Sequence, residues 1–166
     1  MTQPSRLPIR FAQDYKPGEI VIVGEYLVTR DEVLAFAQQW DPQPFHLDEE
    51  MAAQTIFGGI IASGWHVALI MMRMMLQSGF ITPETSLGSP GHENLKWIKP
   101  VRPGDRLVGR VEITDTRMSR SRPDIGFVTT ISTLRNQNDE EVYWLKSTSI
   151  IRSRPPAGPC EKTEPR

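Results

Sequence analysis

The sequence predicts an α+β fold in which one antiparallel sheet curls around one buried helix. Two observations carry this reading. Residues 64–78 form a stretch that is apolar on every face, with Arg73 its sole formal charge, and a helix of that kind belongs inside a core. Four runs with strand character follow it, at about 93–98, 106–116, 125–136 and 142–152, with no helix between them. A doubly wound sheet would need strands and helices to alternate. The 166 residues suffice for one domain that buries its own core without a disulfide or metal staple.

In chain order, residues 1–13 are broken by Pro4 and Pro8 and read as a loosely packed arm. The domain follows over 14–151. Gly18 to Val28 carries β-branched Ile20, Val21, Ile22 and Val23 and reads as a strand. Thr29-Arg-Asp-Glu32 is a capping box for a helix whose apolar stripe is Val33, Leu34, Phe36, Ala37 and Trp40. The prolines of Asp41-Pro-Gln-Pro-Phe-His-Leu-Asp48 make that stretch irregular. Asp48 then caps a short helix with Met51, Ala52 and Ala53, and Phe57-Gly-Gly59 forms a loop. Ser63 caps the long helix, and Gly79 closes it at C′. Turns at 100–105 and 136–139 join the later strands. The tail at 152–166 holds four prolines and little apolar content, so it is expected to be disordered.

Composition narrows the function classes. Hydrophobic residues make up 39% and charged residues 23%, ordinary for a soluble globular chain. Lys and Arg number 19 against 20 Asp and Glu, so net charge attracts the protein to neither nucleic acid nor a membrane. Cys160 has no partner for an intrachain disulfide. The N-terminus lacks the pattern of a signal peptide, and the longest apolar run, Val67 to Met72, is too short for a bilayer. These features predict a cytoplasmic protein.

The stretch from Asp41 to Asp48 carries the chemistry. A carboxylate and an imidazole stand five residues apart in a proline-braced loop, which is expected to hold them apart around a single water molecule. Downstream, Phe57-Gly-Gly-Ile-Ile-Ala-Ser-Gly64 places small residues at the start of the long helix, where free N–H groups and the helix dipole favour a carbonyl oxygen gaining negative charge. Singly, each feature has a plainer reading as a turn, a packing histidine or a helix start. His46, Asp48, His66 and His92 lack a recognised metal-ligand spacing, and no metal site is expected. Asp48 fits a helix cap, and His66 fits packing or pocket lining. Ser63 lacks the flanking glycine pattern of a serine nucleophile.

Together, the two runs resemble the MaoC-like dehydratase family, which includes the (R)-specific enoyl-CoA hydratases. The resemblance extends from about residue 15 to 151 and includes the turn Lys99-Pro-Val-Arg-Pro-Gly-Asp105. It implies the hot-dog fold, an antiparallel sheet around a long central helix, usually as a dimer. It also implies a reversible addition of water to an enoyl-CoA, giving a 3-hydroxyacyl-CoA. In that reading Asp41 and His46 are the catalytic pair. The Gly64 amide is the oxyanion donor, with Ser63 and Gly59 beside it on the substrate. No cofactor is implied beyond the coenzyme A of the substrate itself. Gln43 stands where the hydratases often carry Asn, and Met72 where some carry a hydroxyl. Residues 91–122 hold eight Lys or Arg against four Asp or Glu, so Lys96, Lys99, Arg102 and Arg106 are candidates for the coenzyme A phosphates. Exposed sheet edges independently predict a homodimer or larger even assembly. Two alternatives are a thioesterase on the same fold and a non-catalytic acyl-thioester binding protein.

Overall fold

The computed structural model describes residues 7–155. Five antiparallel strands form one sheet in the order β1-β3-β4-β5-β2: β1 (Ile20–Leu27), β2 (Gly91–Trp97), β3 (Arg106–Met118), β4 (Ile125–Arg135) and β5 (Glu141–Arg152). Consecutive hairpins join β3, β4 and β5, while β1 and β2 occupy the two edges. The chain reaches from one edge to the other through four helices: α1 (Arg30–Trp40), α2 (Pro44–Leu47), α3 (Glu49–Ala53) and α4 (Gly64–Gln77).

Helix α4 lies across the concave face of the sheet. Val67, Ile70, Met71 and Met74 are buried there with Leu107, Val111, Ile113, Val128 and Leu134. At Gly109 of β3 a Cβ would stand 2.8 Å from Met74 Cε and 2.7 Å from Val23 Cγ2. A side chain there would force Val23 and Met74 to repack. Both caps form as expected. Thr29 and Glu32 make a reciprocal capping box on α1, and the Ser63 hydroxyl accepts from Trp65 N–H at the start of α4.

Three expectations need correction. The proline-rich stretch is not wholly irregular, because Pro44 sits at the first position of the one-turn helix α2, where its missing N–H has no intrahelical partner to lose. Helix α4 is not buried all round: Trp65, Leu69, Met72 and Leu76 form an exposed apolar stripe in the single chain. The arm is not loose over residues 7–13. Ala12 is fully buried within a 3-10 turn (Ala12–Asp14), and Arg10 is buried against Tyr15.

At the other end, Arg152 closes β5 and Arg154 pairs with Asp14 at 2.8 Å. The remainder of the expected disordered tail, 156–166, and residues 1–6 lie outside the described residues. Among the described residues, no helix is long and apolar enough to cross a membrane.

Candidate active site

Asp41 terminates α1. The following Pro42 disfavours helical backbone at the residue before it, and Asp41 leaves the helix at φ −148°, ψ 65° while its N–H still reaches Ala37 O. Pro44 then restarts a helical turn, which carries His46 back over Asp41. The result is direct contact, with His46 Nε2 3.2 Å from Asp41 Oδ2. The expectation that the loop keeps the two groups apart is therefore corrected: α2 shortens the distance that an extended loop would have kept.

The other imidazole nitrogen settles the tautomer. His46 Nδ1 lies 2.8 Å from the Ile61 carbonyl, which can only accept, so Nδ1 carries a proton and donates it. Nε2 is then the nitrogen that faces the Asp41 carboxylate. The ring is buried, with the Phe45 ring edge-on at 4.4 Å. The strip 59–63 supports it from behind, since Ile61 N–H donates to Phe45 O and Ala62 N–H to Val101 O.

Asp41 is held as a carboxylate. The Ser63 hydroxyl beside it, the Gln43 side-chain amide at 2.7 Å and the neighbouring His46 keep its carboxyl below the usual range, against the opposing effect of burial. Ser63 thus has two duties, capping α4 through Trp65 N–H and supporting Asp41. Gln43, which the resemblance marks as a departure, faces the carboxylate. At the first position of α4, the Gly64 N–H meets no acceptor among the described residues, as a first-turn amide should.

Asp41, His46 and Gly64 line one cavity of about 480 Å³, walled by Phe45, Phe57, Trp65, Trp97 and Val101 among others. The cavity joins a proton-handling pair, a free helix-terminal amide and an apolar wall. That combination suits addition or removal of water beside a carbonyl that gains charge.

Other sequence candidates fall elsewhere. Gly59 does not line the cavity, and its N–H donates to Ala52 O at 3.2 Å, so it is corrected from substrate contact to loop geometry. Arg102 does not line the cavity either, and its guanidinium donates to Phe57 O and braces the loop. Lys96 lies over the Trp144 ring at 5.5 Å and outside the cavity. Lys99 does reach the cavity wall, where it pairs with Glu140. His66 stacks on Phe36 at 4.8 Å, and burial pushes its pKa down. Asp48 caps α3 through Met51 N–H, and His92 lies exposed on β2. Met72, the second departure, borders a separate cavity of about 50 Å³. Among the described residues, no three His, Cys, Asp or Glu gather in a group that could hold a metal. The aromatic wall escaped sequence reasoning, because nothing local marks Trp97 as a neighbour of Gly64.

Known proteins resemble this arrangement along most of the chain. The MaoC like domain matches residues 15–136. The uncharacterized protein YdeM of Bacillus subtilis (strain 168) is 31% identical over 139 residues, covering 84% of this chain and 96% of its own. The (R)-specific enoyl-CoA hydratase of Rhodospirillum rubrum is 30% identical over 114 residues, covering 65% of this chain and 72% of its own. The crystal structure of the MaoC-like dehydratase from Rhodospirillum rubrum aligns with a TM-score of 0.82 at 39% identity, covering 89% of this chain and 99% of that one. The architecture is the hot-dog fold. Because the matched residues run from before β1 to the end of β4 and include α4 and the Asp41–His46 stretch, this chain belongs to the MaoC-like dehydratase family.

Proposed function

We propose that this protein is an acyl-thioester hydratase that adds water reversibly to an enoyl-CoA, giving a 3-hydroxyacyl-CoA. The supporting observation is the His46–Asp41 contact in the same cavity as the free Gly64 N–H. A water molecule on the cavity side of the pair lies within hydrogen-bond reach of both groups. As its oxygen bonds to C3, one of its protons passes to the Asp41 carboxylate. C2 takes the Nε2 proton of His46, which enters the step protonated on both nitrogens, so the pair ends with as many protons as it began. Between the two events the thioester oxygen carries enolate charge, which the Gly64 N–H stabilises. The carbon–sulfur bond stays intact, the step is redox-neutral, and coenzyme A enters only as part of the substrate. In this reading Lys99 at the cavity wall meets the coenzyme A phosphates, which compete with Glu140 for its ammonium.

The likeness to a protein named (R)-specific enoyl-CoA hydratase supports this substrate class. The working unit is a homodimer or larger even assembly. The free edge of β2 and the exposed Trp65, Leu69, Met72 and Leu76 stripe are the surfaces a second copy would cover.

The test is a panel of enoyl-CoAs of varied chain length, followed by enoyl absorbance and by a thiol reagent. Loss of absorbance without thiol supports hydration. Thiol release identifies a thioesterase, and binding without turnover identifies a carrier or sensor of acyl thioesters.

A further inference from the structure

Trp97 ends the edge strand β2, opposite the first turn of α4. Its Nε1–H donates to the Gly64 carbonyl at 2.8 Å. The indole also fills the place of the missing side chain: a Cβ on Gly64 would stand 2.6 Å from Nε1 and 2.8 Å from Cδ2, far inside van der Waals contact. Trp65 meets the same ring edge-on at 5.4 Å. The strand end is itself anchored, since Trp97 pairs with Tyr143 in the β2–β5 ladder and Ile98 N–H donates to Val142 O.

Glycine has the freest backbone of any residue. A first-turn amide also lacks the intrahelical bond that would hold it. A hydrogen-bond donor serves a transition state only when kept within about 0.5 Å and 10–20° of the productive geometry. Trp97 removes the freedom of Gly64 twice, through the carbonyl and through the face of Cα. Trp97 is 47% exposed in the single chain, so packing within this chain's own core does not account for a tryptophan here.

We infer that Trp97 is a positioning residue for the hydration: it aims the Gly64 N–H at the thioester oxygen, and its indole is the reason residue 64 is glycine. This rests on the function proposed above. Trp97→Phe keeps a ring and deletes the hydrogen bond. It should lower kcat by roughly 10–10²-fold, the scale of a misplacement near one ångström. KM should change little, and the factor should be the same for short and long enoyl-CoAs. A tryptophan that merely walls the acyl pocket would instead move KM in a chain-dependent way.

Thermal melting reads the contact independently. Gly64→Ala should lower Tm by about 2–12 °C through overpacking, and by much less in a Trp97→Ala background. Wild-type kcat in Trp97→Phe, or an equal Gly64→Ala penalty with and without the indole, overturns the inference. A wild-type protein that hydrates none of the enoyl-CoAs overturns the proposed function first, and the positioning role falls with it. The melting cycle still decides whether the indole dictates glycine.

Discussion

Arg10 with Glu19 and His46 with Asp41 are both pairs of opposite ionisable groups set against aromatic rings, yet it is the second that opens on the cavity of about 480 Å³. The Arg10 guanidinium is buried and held by several partners. It donates to Glu19 at 2.6 Å and to Asp14 O at 2.7 Å, and it lies 4.3 Å over the Tyr15 ring. Tyr15 in turn donates to Phe80 O, and burial pushes its phenol up to about 12. This network straps the N-terminal segment to β1 and to the chain leaving α4. At the other pair, only His46 Nδ1 has a permanent acceptor, while Nε2 and the Asp41 carboxylate meet beside a void. Burial of charge is common to both. What separates a strap from a site is whether a proton can leave the pair for something else.

Substitutions sharpen that contrast. The largest effect is expected at the open pair, where Asp41→Asn and His46→Gln should each lower kcat for enoyl-CoA hydration by roughly 10²–10⁴-fold. The double variant should lose far less than the product of the singles, because both groups act on one water. Full activity in either single variant, with unchanged circular dichroism, would remove the mechanism.

At the closed pair the outcome should invert. Arg10→Met is expected to cost about 2 kcal/mol in urea denaturation, the scale of lost hydrogen bonds to a charged group, with kcat of the folded protein unchanged. A fall in kcat at unchanged stability would erase the distinction drawn here.

Ser63 tests the support of the open pair. Ser63→Ala removes the N-cap of α4, at a cost of about 1 kcal/mol. It also removes the hydroxyl that most lowers the Asp41 pKa, so the acid limb of kcat/KM should move to higher pH. Ser63→Thr should keep both functions. An acid limb that stays in place in Ser63→Ala would mean that the hydroxyl does not support the carboxylate.

The smallest effect is on stability against pH. The folded pKa of Asp41 lies below the ordinary value of 3.8, so ionisation stabilises the fold above that value, and the gain is lost as pH falls through the folded pKa. The stability gap between wild type and Asp41→Asn should be constant near neutrality and close only below about pH 4. A gap that widens on acidification would reverse the sign of the shift.

The two pairs also differ in how visible they are in sequence. Asp41 and His46 are readable because five residues and two prolines bring them together locally. Even so, the restart of helix at Pro44, which closes the gap to 3.2 Å, escaped the reading of that stretch as irregular. The strap was invisible. Arg10 lies in a segment with the composition of a loose arm, and its partners Glu19, Tyr15 and Phe80 come together only when the chain crosses the sheet. Gly59 and Arg102 were misplaced for the same reason, since their polar groups are satisfied by the carbonyls of Ala52 and Phe57.

By itself the sequence determined the longer elements and their caps: the Thr29–Glu32 box, Ser63 and Gly79 at the ends of their helices, five strands, and the order that makes one sheet wrap one helix. Local hydrogen bonding and hydrophobic period suffice for these, because each is decided within a few residues. Only the tertiary structure decided which face of α4 stays open, which cations are free, and what stands over Gly64. The indole of Trp97 reaches that glycine across 33 residues of sequence. No local pattern encodes such a contact, which exists only once β2 and α4 are held by the same core.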